Sequence, residues 1–409
     1  MAFLLPGRIL PPLPGTFRAL RHRDFRLLWT GQLLSLTGSW MQSAAQGWLV
    51  LRLTDSPFYL GLIGFCTFAP GLVFALPAGV AADRFPRRTM LLILQAVALI
   101  LAAVLTALTW SGAIEVWHIA VLATLAGTVI AFEIPIRQSF LQVLVGREDL
   151  PNAIALNSLA FNSARMLGPT LAGFLLVFRT EATCFLLNTL SFGAVLIALT
   201  MLKTRGDPEG GDGDTWYVGM RNGLAYAGGH RKVRTLLLLI VLTSIFAMPY
   251  SILVPVFARD ILKAGTQGLG LLMGAAGLGA MSGALLLATR KSIRGAGGRI
   301  AWALVILGGG LISFGLSDHL VLSMVCLFLV GAGVITQLAT SNTYLQLTAP
   351  PAMRGRVISL FMLSLIGMAP FGSLLAGAAA KGIGTRLTVV LGGLTCLAAG
   401  LITLRRLRT

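Results

Sequence analysis

Charge is what this chain has least of. Only 11% of its 409 residues are Asp, Glu, Lys or Arg, against roughly 25% in a soluble domain, which excludes an ordinary water-soluble globule. Acidic residues are the scarcer sign, 14 against 32 Lys and Arg, and Glu133 is the one acidic residue inside an apolar stretch. The four cysteines (Cys66, Cys184, Cys326, Cys396) all fall in apolar runs without metal-ligand or disulfide spacing and read as small buried hydrophobes. The four histidines sit in loops or at the ends of apolar runs, again without ligand spacing. Gly308, Gly309 and Gly310 lie in an apolar stretch without the Lys-Ser/Thr that a phosphate loop needs. No catalytic cluster is visible, so an enzyme is the least expected class, and neither cofactor nor metal is expected.

Apolar residues are what the chain has in abundance: 56% hydrophobic, with a mean hydropathy of +0.85. Apolar runs recur from Leu27 to Leu404, each long enough to cross ~30 Å of hydrocarbon. No water reaches that depth, so the backbone must satisfy itself and the runs must be helices. The spacing predicts an all-α membrane protein with twelve spans: 27–51, 58–81, 89–110, 117–138, 152–177, 182–202, 235–257, 267–288, 300–317, 320–343, 356–379 and 386–404. Ahead of them, Pro6, Pro11, Pro12 and Pro14 break any early helix and leave no cleavable signal pattern.

The net charge of +18 is explained by where the cations lie. Against these spans, 25 of the 32 Lys and Arg fall on one side, six on the other, and Arg165 alone lies mid-span. The alternation works only for an even number of spans, which predicts that both termini are cytoplasmic. Contact with anionic lipid heads accounts for the rest of the basic bias, and no nucleic-acid partner is needed.

The longest interior loop, 203–234, carries Asp207, Glu209, Asp212 and Asp214 among glycines. It divides the chain into a tail 1–24, a first bundle 25–202, a second bundle 235–404 and a tail 405–409. The two bundles share residues in register: Gly127 with Gly331, Leu141 and Gln142 with Leu345 and Gln346, and Leu171, Ala172 and Gly173 with Leu375, Ala376 and Gly377, all at one offset of 204. A parallel repeat of six-span halves is one large transporter architecture, with substrate held between the halves. A channel or a receptor does not require it.

Gly79, Asp83, Arg84, Arg87 and Arg88 follow span 2 at the spacing Gly, three residues, Asp-Arg, two residues, two basic residues. This resembles the loop motif of the major facilitator superfamily, with Pro86 where a second glycine is usual. Phe25 to Trp29, Gly31, Gln32, Ser35, Gly38 to Trp40, Gly47 to Val50, Arg221 to Leu224, and Arg354 to Val357 resemble the branch that contains the enterobactin exporter. The resemblance implies that the loop Asp latches one half against the start of span 11. There, free backbone N–H groups, Arg354 and Arg356 would stabilise Asp83. Gly168 and Pro169, with Gly173 beyond, resemble the span 5 motif of family exporters and place a kink there.

Isolated charges at mid-membrane cost at least ~2.5–3.5 kcal/mol and seek partners in the bundle interior. Glu133 is therefore a proton-coupling candidate and Arg165 a substrate or relay group. Alternatively, the two form a structural pair, with Arg137 as a competing partner for Glu133. Gln32, Ser35, Ser39, Gln42 and Gln46 step by 3, 4, 3 and 4 along span 1 and predict one wet face; helix-to-helix glue is the alternative. Gln337, Ser341 and Tyr344 step similarly in span 10, and Asn162 lies one turn before Arg165. Together they outline a substrate cavity.

The expectation is a monomeric secondary transporter in a bacterial cytoplasmic membrane. It would export drug-like or siderophore-like amphipathic small molecules by alternating access, with protons as coupling ion. An importer or lipid transporter on the same scaffold, and a receptor or assembly factor that binds without moving its ligand, remain alternatives.

Overall fold

A computed structural model of the chain describes residues 15–207, 225–288, 295–350 and 353–408. The side chain of Asp83, the acidic residues at 209–214 and the 221–224 segment lie outside the described residues. A 3-10 turn, Gly15–Arg21, leads into α1 (Arg23–Thr54), α2 (Pro57–Arg84), α3 (Arg87–Trp110), α4 (Val116–Phe178) and α5 (Glu181–Thr200). The second half holds α6 (Arg231–Leu242), α7 (Tyr250–Val256), α8 (Gly265–Ala288), α9 (Ala296–Leu316), α10 (Leu320–Thr348), α11 (Arg354–Leu365), α12 (Ala369–Ile383) and α13 (Thr385–Arg408). Among the described residues there is no β-strand.

Among the described residues, ten helical segments are long and apolar enough to cross a membrane. Two features separate that count from the expected twelve. The 63-residue α4 would be roughly 95 Å long if straight, about three times the hydrocarbon thickness. It reverses at Gly146 (φ 73°, ψ 172°), a backbone conformation only glycine adopts without strain, so it supplies two arms. Helix therefore fills most of the segment between spans 4 and 5 that the sequence reading leaves as loop. The 32-residue α1 is long enough to cross, but its polar residues lower its hydropathy. Counting α1 once and α4 twice brings the number to twelve. Large apolar side chains such as Trp110 and Val321 point outward, 72% exposed in each case, as lipid-facing residues do.

The packing repeats between halves. α2 lies on α4 and α8 on α10; α3 lies on α5 and α9 on α13. The residues matched at the 204 offset hold equivalent places. A β-carbon at Gly127 would strike the Thr67 carbonyl of α2, and one at Gly331 the Ala276 carbonyl of α8. Across the seam between halves, a β-carbon on Gly173 would lie 2.6 Å from Gly270 Cα, and one on Gly377 would lie 2.7 Å from Gly61 Cα. Without a hydrophobic drive between helices in lipid, such small-residue contacts let backbones approach and pack.

Those contacts seal one end. There Leu49, Leu60, Phe185 and Val256 share one apolar core drawn from both halves, Arg259 donates to the Leu51 carbonyl (3.1 Å) and to Asp55 (2.6 Å), and Lys381 caps the Phe58 ring. At the other end the core of Phe25, Leu91, Ile136 and Phe140 belongs to the first half alone, while α11 packs chiefly on α6 and α10.

Two crossings are broken by proline. Pro370 has no N–H for the Ile366 carbonyl, which takes the Ala369 N–H instead (3.3 Å). Ala369 N is thereby withdrawn from Leu365, and the Ser244 hydroxyl donates to the Leu365 carbonyl at 2.6 Å, repairing a deficit that lipid would not forgive. The α6–α7 crossing contains Pro249 and Pro255 and has π-turns at Thr243–Ala247 and Phe257–Ile261, a usual local response to interrupted pairing.

At the turn between the arms of α4, outside both crossings, Asp149 accepts hydrogen bonds from His22 and Arg18, and Ala19 N donates to Asn152 (2.8 Å). The bond from His22, then that from Arg18, hold the Asp149 carboxyl below the usual aspartate range.

Two outcomes are expected. Ser244→Ala should cost about 1–3 kcal/mol of stability by orphaning the Leu365 carbonyl, read as a lowered midpoint in detergent denaturation. Because the folded pKa of Asp149 is depressed, its contribution to docking Gly15–Arg21 is complete above the unfolded aspartate value, ~3.9. It is lost as pH falls through the folded value. Asp149→Asn should release the turn at neutral pH, read as faster tryptic cleavage at Arg18 and Arg21 with the bundle intact.

Candidate functional site

Gly168 brings α1 and the second arm of α4 together. A β-carbon there would lie 2.6 Å from Trp40 Cβ and 2.7 Å from the Thr37 carbonyl, so glycine is needed, and Pro169 interrupts the helix beside it. Three residues earlier Arg165 extends over the Trp40 ring, 5.7 Å from its centroid, and lies beside buried Tyr250 on α7. Arg165 therefore bridges the two halves. Gly277 of α8 packs on the Arg165 and Met166 backbone, 2.7–3.0 Å from a β-carbon placed on that glycine. Gly270, Gly274 and Gly277, spaced four and three, face this same arm and fix its depth.

Glu133 takes its partner locally. Arg137, one turn on, donates to Glu133 Oε1 at 2.9 Å with both side chains largely buried, and Gln32 Nε2 donates to the same oxygen at 3.3 Å. The Glu133–Arg165 pairing is thus not formed. A partner at i+4 on one helix needs no long reach between helices, and Arg165 is turned toward Trp40 and Tyr250.

The polar stripe of α1 divides. Gln32 ties α1 to the first arm of α4, and Gln42 accepts from Asn188 of α5 at 2.7 Å. Ser35 is buried, while Ser39 and Gln46 are half-buried. The stripe drifts around the helix over its length, so its amides serve as ties between helices as well as a polar face. On α10, Gln337 and Ser341 are fully buried, and neither amide atom of Gln337 nor the hydroxyls of Thr340 and Ser341 has a partner. Tyr344 packs half-buried on the core of the second half. Asn162 donates to Ser158 O (2.8 Å) and leaves Oδ1 buried and unpaired.

The expected latch turns on Asp83, whose side chain lies outside the described residues. Arg87 donates to Ser139 (3.2 Å) and the Asp207 carbonyl (2.9 Å), and Arg88 to the carbonyls of Leu199 (2.8 Å) and Thr200 (2.7 Å). Arg88 sits at the C-terminal end of α5, where carbonyl dipoles favour cations, and Arg87 ties the first arm of α4 to the segment that follows α5, so both work within the first half. A β-carbon on Gly79 would meet no neighbouring helix within 4 Å, Arg84 is exposed, and Arg354 caps the Ala349 carbonyl at 3.3 Å. Arg356 donates to Met353 Sδ at 3.4 Å.

Tyr250, Trp40 and Asn188 escape the sequence reading as site residues. A lone tyrosine after Pro249 inside an otherwise apolar crossing is the one signal that marks Tyr250. Among the described residues no group of His, Cys, Asp or Glu is placed to hold a metal ion.

Paired helical halves with buried charges at their seam define a polytopic membrane transporter of the major facilitator type. The profile of one family within it, the transmembrane secretion effectors, matches residues 14–408, and the chain belongs to that family. It is 27% identical to the staphyloferrin A transporter of Staphylococcus aureus, over 91% of this chain and 93% of that one. It is 25% identical to the multidrug efflux pump Tap of Mycolicibacterium fortuitum, over 89% and 91%. Among solved structures, the fold matches a bacterial homologue of the lysosomal transporter Spinster with a TM-score of 0.71 at 15% identity, covering 94% and 96% of the two chains. It also matches a bacterial homologue of ferroportin with a TM-score of 0.69 at 16% identity, covering 92% and 98%.

Removing one partner of a buried ion pair strands the other. Arg137→Gln should cost about 3–5 kcal/mol, and adding Glu133→Gln should restore most of it, read as thermal midpoints of the single and double variants. Equal midpoints for Arg137→Gln and wild type would sink the pair as a structural element.

Proposed function

We propose that this chain is a proton-driven exporter of amphipathic small molecules, drug-like or siderophore-like, working as a monomer by alternating access. The observation that carries the reading is the Glu133–Arg137–Gln32 cluster, buried within a bundle that is sealed by glycine contacts at one end only. Residues 25–202 and 235–404 move as two units, with both termini cytoplasmic, and the sealed end faces outward. Glu133 is the one carboxylate inside an apolar stretch, so it is the group able to carry a proton across. To do so it must part from Arg137, and separation of that pair is the step that links protonation to conformation. The Gly79 and Asp83 loop then closes on Arg354 and Arg356 when the cytoplasmic end shuts. Export is favoured by the kink at Gly168 and Pro169 and by the efflux relatives.

The test is efflux from proteoliposomes under an imposed pH gradient, with a dye panel and a catecholate siderophore. Gradient-dependent flux is expected in the wild type. Glu133→Gln should abolish it while preserving binding. Undiminished proton-driven flux in that variant would remove Glu133 as the coupling group, and flux only inward in vesicles of known sidedness would turn the exporter into an importer.

A further inference from the structure

Arg165 is the charge that the mechanism above does not use. It lies roughly 20 Å along the second arm of α4 from Asn152, near mid-membrane, where an uncompensated charge is costly. Glu133, the carboxylate nearest in kind, is committed to Arg137 and Gln32. Among the described residues no carboxylate pairs with Arg165. It lies over a π face, Trp40, with buried Tyr250 beside it. A guanidinium presents five donors in a planar fork; a ring face beneath it leaves that fork unfilled. One turn away, Asn162 Oδ1 is buried without a partner.

We propose that Arg165, Tyr250 and Trp40 form an anion subsite at the seam between the halves, which selects substrates bearing a carboxylate beside a flat ring. Two carboxylate oxygens fill the guanidinium fork side by side, as such pairs do. The Tyr250 hydroxyl then turns to donate to the same anion. Trp40, held edge-on by Phe161 with centroids 5.8 Å apart, offers its face to the substrate ring. The subsite draws on both halves: α1 and α4 supply Trp40 and Arg165, and α7 supplies Tyr250. An anion bound here holds the seam together, and a neutral analogue does not. The proposal deepens the transporter reading and rests on it only for the fate of the bound anion.

The test uses the full-length protein in detergent, titrated calorimetrically with 2-naphthoate and with 2-naphthamide, which share ring and size and differ in charge. The wild type should bind the acid about tenfold to a hundredfold more tightly, the worth of one charged hydrogen-bonded contact. Arg165→Gln should erase the preference, Arg165→Lys should keep part of it because the charge remains without the fork, and Tyr250→Phe should weaken the acid alone. Equal affinity for acid and amide in the wild type, no binding of the acid, or a preference that survives Arg165→Gln would overturn the proposal. If Arg165→Gln does not fold, the wild-type comparison and Tyr250→Phe decide: equal affinities, or an unchanged acid preference in Tyr250→Phe, overturn it. Flux is read separately in proteoliposomes. Acid binding that depends on Arg165 with no flux of any compound would keep the subsite and sink the transporter. Flux of neutral and cationic dyes without acid preference would do the reverse.

Discussion

Glycine-on-glycine contact across the seam is the constraint on which the rest of the structure depends. In lipid, apolar side chains gain little by leaving the solvent for one another, so two bundles join only where their backbones come close enough for dense packing. Gly61 with Gly377, and Gly173 with Gly270, provide that approach on two sides, and the Gly270–Gly277 row extends one of them to the depth of Arg165. The charged contacts at the sealed end, Arg259 with Asp55 above all, are built around this packing. Such partly exposed pairs contribute little alone.

The same economy governs polar groups. Pro370 costs the backbone one donor, and Ser244 from the neighbouring crossing returns one. Gln42 meets Asn188, Glu133 meets Arg137, Arg87 meets Ser139 and the Asp207 carbonyl, and Arg88 meets the carbonyl end of α5. Against this pattern of settled accounts, the open fork of Arg165 and the unpaired atoms of Gln337, Thr340 and Ser341 stand out as chemistry kept for something other than holding the bundle.

The helices were legible in the sequence because hydrophobic length is a strong signal in a membrane: most bounds fall within a few residues of the expected spans. The two arms of α4 were not legible as one helix, since a polar segment such as Arg147–Asp149 reads as loop unless Gly146 is known to carry the reversal by itself. Gly127, Gly173, Gly331 and Gly377, the glycines that the offset of 204 singles out, all sit where packing demands the residue type. The partner of Glu133 was left open between Arg165 and Arg137 because depth alone does not fix which way an arginine turns. The direction came from Gly168, which draws Trp40 beside Arg165, and from Tyr250, whose place in the other half no spacing reveals.

The break in the eleventh crossing sets the length of the α2 seam. A β-carbon on Gly71 of α2 would meet Ile366 at 3.4 Å, and one on Gly367 would meet Leu72 at 3.1 Å. The α2 seam thus runs from Gly61 and Gly377 down to the interruption made by Pro370. From Gly61 to Gly71, and from Gly367 to Gly377, the seam covers ten residues, ~15 Å, about half the hydrocarbon thickness. A proline placed one turn earlier or later would shorten or lengthen that seam by ~5 Å, and with it the length over which the two halves are held backbone to backbone.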